Sequence, residues 1–159
     1  MYSNLTPKDF DRYDCVKLSK GIFVTLLFIL RGYVTWIVSV TNMQDRTSTI
    51  AFFYPNPKLF YLSLASGAIG LIVAFVLIMR RPDAAGWVKW SCKYLRQILV
   101  VALIFDLIVN LAAYYWWDMQ SVMWLVVNTA IVCLASWFLF TSERVKINVE
   151  EFPETLPEK

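Results

Sequence analysis

The chain has 159 residues, 58% of them hydrophobic, 16% aromatic and only 17% charged, with a net charge of +3 and no histidine. That much apolar surface cannot be hidden in a soluble domain of this length, because small domains leave a large share of their surface exposed. The composition therefore predicts a membrane protein, and the missing histidine excludes a histidine-based triad, metal site or pH switch within the chain.

Residues 1–20 are polar and mixed in charge, with Lys8, Asp9, Asp11, Arg12, Asp14, Lys17 and Lys20. The apolar run after them is too long for a signal peptide, contains an arginine and lacks a small-residue cleavage site. The segment reads as a cytoplasmic leader near the membrane surface. Four apolar runs follow, at about 21–40, 59–79, 98–117 and 121–141. Each holds about 20 residues, enough at about 1.5 Å per residue to cross a hydrocarbon core of about 30 Å. The predicted fold class is an all-α membrane protein: a four-transmembrane-helix bundle over 21–141, between the leader and an acidic tail at 142–159.

Lysine and arginine orient it. The leader, the second loop and the tail together carry twelve, against Arg46 and Lys58 in the first loop and none at 118–120. Such residues collect on the cytoplasmic side, so both termini are expected inside. Tyr114, Tyr115, Trp116, Trp117 and Trp124, with Trp36, Phe52, Phe53 and Tyr54, then fall at the outer interface as an aromatic belt, an anchor rather than a ligand cage. In the outer loop, Tyr54-Pro55 followed by Asn56-Pro57 reads as an extended or turning entry to the second span.

The second loop carries an amphipathic juxtamembrane segment. Asp83 is placed to cap a helix after Pro82. On that helix Trp87, Trp90, Ser91 and Tyr94 share one face, and Lys89, Lys93 and Arg96 the opposite one. With Arg80 and Arg81 they make a basic and aromatic surface whose expected partner is the bilayer, through anionic lipid of the inner leaflet. A docking surface for a protein is the alternative, and no nucleic-acid partner is expected. The tail, with Glu143, Glu150, Glu151, Glu154 and Glu158 beside Pro153 and Pro157, is expected to be solvated and disordered beyond about Val149.

Two charges lie inside apolar runs, at a cost of about 2.5–3.5 kcal/mol each on insertion scales. With both termini inside, the first and third spans run in the same direction. Arg31 then sits about 15 Å deep and Asp106 about 12 Å. A guanidinium covers that difference, so a buried Arg31–Asp106 ion pair is expected, with the planar fork of arginine meeting the carboxylate. Asn110, one turn beyond Asp106 on the same face, and Asn128 on the fourth span fall at similar depths and extend the pair into a polar ladder. The ladder can be a structural joint between helices or an ion, proton or small-ligand site. In the second span, Ser63, Ser66, Gly67 and Gly70 form small-xxx-small spacings that permit close helix packing, within the chain or with another. Cys133, inside the fourth run, is expected to be a small core residue. The three cysteines, Cys15, Cys92 and Cys133, have no CxxC spacing, which disfavours zinc and thioredoxin-like chemistry, and their odd number argues against a disulfide framework.

No catalytic, cofactor or metal site is expected: Ser63, Ser66 and Thr25 lack a base, and Asp106 lacks a second carboxylate. The chain resembles the family called domain of unknown function 2919. Tyr13-Asp14 followed by Lys17, Arg31 in the first span, Phe53-Tyr54-Pro55 in the outer loop and Arg80 closing the second span carry the resemblance, over roughly residues 10–140. The resemblance implies a small bacterial inner-membrane protein and no particular activity. It also makes Phe53, Tyr54 and Pro55 a candidate outer contact. The expected function is that of a non-enzymatic accessory, assembly or interaction subunit, with a membrane-protein partner or a second copy of itself. The alternative is a small oligomeric transporter or channel subunit that uses the polar ladder.

Overall fold

The computed structural model describes residues 15–42, 45–54, 56–117 and 121–153. Among them the chain is all-helical: α1 (Lys20–Ile29), α2 (Arg31–Thr41), α3 (Arg46–Phe53), α4 (Pro57–Ile78), α5 (Gly86–Lys93), α6 (Leu95–Trp117), α7 (Val122–Thr141) and α8 (Glu143–Glu150). The leader up to Asp14, Pro55, residues 118–120 and the tail from Glu154 lie outside the described residues.

Three helices, α4, α6 and α7, are long and apolar enough to cross a membrane. Their starts follow ordinary capping rules. Asn56 accepts from the Lys58 amide with Pro57 in the first turn of α4, and Ser121 accepts from the Trp124 amide at the start of α7. The first apolar run, expected as one helix, is instead two, bent by 72° between α1 and α2; the pair counts as a fourth apolar span only if taken together. No proline is involved. Arg31 Nη1 donates to the Phe28 carbonyl at 3.2 Å, an acceptor that an unbroken helix would offer to the Gly32 amide. The side chain thus enters the backbone ladder, a recognised cause of a sharp kink. Beyond the bend, Gly32 lies so close to α4 that a Cβ there would stand 2.7 Å from Ser63 Oγ.

The small face of α4 makes this approach feasible. Gly67 faces the Ile29 carbonyl and Tyr33, and Gly70 faces Ile29 and Leu30. Toward the end that holds both described chain ends, the helices meet around Ile22, Leu26, Ile29, Val73, Leu95, Leu99, Leu103, Val132 and Leu139. The exterior is apolar too: Phe23, Ile72, Phe75, Ile108, Leu134 and Trp137 are all exposed. Helix α7 is the peripheral member, 17% buried over its apolar window against 33% for α4 and α6. Its inward residues are Asn128, Val132 and Leu139, and Cys133, one position round from Val132, is exposed rather than in the core.

The tail also departs from expectation. Its first part is helix α8, with Val145, Ile147 and Asn148 buried, and Val145 and Val149 join the core of the bundle. Asn148 stitches it to the leader: its Oδ1 accepts from the Ser19 amide at 2.8 Å, and its Nδ2 donates to the carbonyls of Val16 at 2.8 Å and Lys17 at 3.2 Å. One carboxamide thereby satisfies main-chain groups of Val16, Lys17 and Ser19, which precede α1 and lie outside any helix. Beyond Val149, Glu151 accepts from the Val16 amide through its carboxylate at 3.0 Å.

Candidate functional site

Asp106 is carried on α6, which packs against α4 and α7 at the centre of the bundle, and it is only 1% exposed. Arg31, the first residue of α2, reaches it from the bend. Its Nη2 donates to Asp106 Oδ1 at 3.1 Å and Oδ2 at 3.0 Å. The guanidinium also lies over the Phe28 ring, 4.6 Å from its centre. A buried carboxylate needs more than one partner to offset its lost hydration. Ser66 on α4 supplies a second, donating to Oδ1 at 2.9 Å. Asn110, one turn along α6, supplies a third, donating to Oδ2 at 3.2 Å while also bonding the Asp106 carbonyl at 2.7 Å.

Ser66, expected as a packing residue, also bonds the buried carboxylate. A hydroxyl at mid-depth in an apolar run, on the small-residue face, is the sequence signal for such a contact. Asn128 departs in the other direction. It is 2% exposed, and neither its amide nitrogen nor its oxygen meets a hydrogen-bond partner, so it is not bonded to Asn110. Depth placed the two level, but depth does not fix the rotation of a peripheral helix.

Above this network, on the side away from the chain ends, the bundle opens into a cavity of about 480 Å³. Arg31, Ser63 and Asn110 give it polar surface, Leu59, Leu62, Val109 and Trp124 line it with apolar surface, and Phe52, Phe53 and Tyr54 from the connection between α2 and α4 complete its lining. That connection forms α3, which Asp45 caps by accepting from the Ser48 amide. The Ser48 hydroxyl and amide hold the Asp45 carboxyl below its ordinary value. The entry to α4 is extended as expected at Tyr54 and Asn56, and the Tyr54 hydroxyl shares a 2.8 Å hydrogen bond with Ser63 Oγ. Pro55 lies outside the described residues.

The basic segment behaves differently from the two-faced helix expected. Helix α5 starts at Gly86 with Ala85, not Asp83, at its N-cap. Val88 and Cys92 are its buried stripe, packed with Val76, Ala84 and Phe152. Burial pushes the Cys92 thiol up, against a smaller opposing effect of Arg80. Trp87, Trp90 and Tyr94 are exposed, the last two with rings 5.0 Å apart. Arg81, Lys89 and Lys93 are exposed as well. Lys89 lies over the Phe152 ring, Arg96 faces the Phe140 ring, and Arg80 Nη2 donates to the Glu151 carbonyl at 2.9 Å.

Among the described residues no three His, Cys, Asp or Glu side chains gather where a metal could sit. The family described as protein of unknown function (DUF2919) matches residues 5–151. No curated protein and no solved structure matches.

Proposed function

For this chain, which belongs to the DUF2919 family, we propose the role of a non-enzymatic accessory or assembly subunit of the bacterial inner membrane. In this reading it spans the bilayer four times, α1 and α2 together forming one bent span, with both termini in the cytoplasm. The observation that carries the proposal is the saturation of Asp106. Its two oxygens take four contacts from Arg31, Ser66 and Asn110. A carboxylate so occupied acts as a joint between the bent span, α4 and α6, and has no acceptor position left for a travelling proton or ion. Polar side chains commonly join helices in this way inside membranes. The arginine and lysine distribution supports the orientation. The exposed aromatics Trp36, Phe52, Phe53, Tyr115, Trp116 and Trp124 support an outer interface at the opposite end from α5. The aromatic and basic residues of α5 suit the inner leaflet and its anionic lipids.

Affinity purification from membranes in a mild detergent, at native expression level, tests this role. A reproducible membrane-protein partner is the expected result. Recovery only as a lone monomer would overturn it.

One observation favours a second reading, a small oligomeric transporter or channel subunit: the outer cavity has Arg31 and Asn110 among its lining residues. Toward the other end, however, Ile22, Leu26, Leu99 and Leu103 close the bundle with apolar side chains. Flux into proteoliposomes, wild type against Asp106→Asn, separates the two. Flux above empty vesicles that the substitution abolishes would establish transport.

A further inference from the structure

Arg31 is matched in charge but not in hydrogen bonding. A guanidinium carries five N–H groups. Nη1 donates to the Phe28 carbonyl, and Nη2 to the two oxygens of Asp106. These bonds take at most three of the five. At least two N–H groups, that of Nε among them, therefore meet no acceptor among the described residues. The side chain keeps 19% exposure, and Arg31 belongs to the wall of the outer cavity of about 480 Å³. Tyr54 and Ser63 stand on the same wall, and their hydroxyls share a single 2.8 Å hydrogen bond. One proton bridges the pair, and the other is left for an acceptor outside it.

These donors define the chemistry that fits the space. Inside a membrane an N–H without an acceptor is costly, so a molecule that supplies oxygen acceptors is favoured there. It need not bring charge. Asp106 already neutralises Arg31 at 3.0 Å, and a second anion would feel the field of that carboxylate as well as that of the guanidinium. The rest of the wall, with Leu62, Val109 and Trp124, is apolar. Trp124 and Phe53 are also exposed on the exterior of the bundle, so the cavity is continuous with a surface that suits lipid. Its volume falls in the range of small-molecule sites, about 300–1,000 Å³.

We propose that the outer cavity binds an uncharged, membrane-soluble molecule that presents carbonyl oxygens. One oxygen accepts from the unpaired N–H groups of Arg31, a second accepts from the Tyr54–Ser63 pair, and the apolar part lies against Leu62 and Trp124. A quinone and an acylglycerol both carry this chemistry. The site rests on the reading of the chain as membrane-spanning and not on its having a protein partner. Reporter fusions to the two termini test the spanning reading apart from any binding.

The test uses the full chain in dodecyl maltoside and two tritium-labelled probes, decylubiquinone and dioctanoylglycerol, each measured for saturable binding. One probe is expected to bind at one molecule per chain, and which one binds identifies the source of the carbonyls. Decylbenzene, which has no acceptor, and decanoate, which is an anion, should each compete about tenfold more weakly, the worth of one charge-assisted hydrogen bond. Tyr54→Phe combined with Ser63→Ala should weaken the probe about fivefold, the worth of an ordinary one. Leu62→Trp, which fills the cavity and keeps every donor, should abolish binding, with circular dichroism confirming that both variants fold. Absence of saturable binding by either probe would overturn the proposal. So would decylbenzene competing as well as the probe, decanoate binding more tightly than it, or full affinity in both variants. The wild-type competition series decides the matter without any variant.

Discussion

Replacing Asp106 with alanine strips four contacts at once: two from Arg31 at 3.0 and 3.1 Å, one from Ser66 at 2.9 Å and one from Asn110 at 3.2 Å. The dominant loss is the ion pair, since removing one partner of a buried pair costs about 3–5 kcal/mol. The Arg31 side chain keeps 19% exposure and its bond to the Phe28 carbonyl. The cost should therefore fall at the lower end, about 3 kcal/mol. Arg31→Ala should cost a similar amount, because it leaves the carboxylate with Ser66 and Asn110 alone. In the double variant neither charge is left behind, so the total should stay near about 3–4 kcal/mol rather than the sum of about 6, a coupling of about 2–3 kcal/mol. The assay is unfolding of the four proteins from dodecyl maltoside micelles by added dodecyl sulfate, followed by circular dichroism. A double variant whose loss equals the sum of the singles within about 0.5 kcal/mol would refute the joint.

Gly32→Ala should cost about 1–3 kcal/mol in the same titration, because its Cβ would meet both Ser63 Oγ at 2.7 Å and the Ser63 main-chain carbon at 3.1 Å. Gly86→Ala, where a Cβ meets nothing within 4 Å, should instead stabilise by about 0.4–1 kcal/mol; equal stability of the two variants would deny the close crossing of α2 and α4. Asn148→Ala leaves the buried Ser19 amide without its acceptor, a loss of about 1–3 kcal/mol felt locally, so leader amides should exchange hydrogen faster by mass spectrometry, and unchanged exchange would refute the stitch. The folded value of Asp45 is depressed by Ser48, so its cap on α3 is fully present above the unfolded carboxylate value of about 3.9 and fades only as pH falls through the lower folded one; a Ser48 amide resonance titrating at or above that value would contradict the cap.

The long helices were legible because about 20 apolar residues in a row have few other fates. Arg31 and Asp106 could be set opposite one another because helical rise is fixed, so sequence position converts to depth. Rotation about the helix axis does not follow from depth. For that reason depth alone predicts neither that Ser66 donates to Asp106, nor that Asn128 misses the polar ladder, nor that Cys133 faces outward. The bend at Leu30 was hidden for another reason. Its cause is the Arg31 side chain bonding the Phe28 carbonyl, and no local breaker residue announces it. In the tail, average composition hides a local pattern. Five acidic residues mask the apolar positions of α8, where Val145 and Ile147 are buried and Val149 packs against the core.

The 75 positions separating Arg31 from Asp106 have a meaning in time as well as in space. At about 5–20 residues per second, the guanidinium is made about 4–15 s before its carboxylate. During that interval its companions are the Phe28 carbonyl and ring, both within one turn of the same chain. The bend at Leu30 uses the first of these, so it can form while the rest of the bundle is still unmade. The bend thus has a contact of its own before the carboxylate that later joins Arg31 to α6 exists. A copy stopped short of residue 106 carries an unmatched cation, a chemical mark that distinguishes unfinished molecules from finished ones.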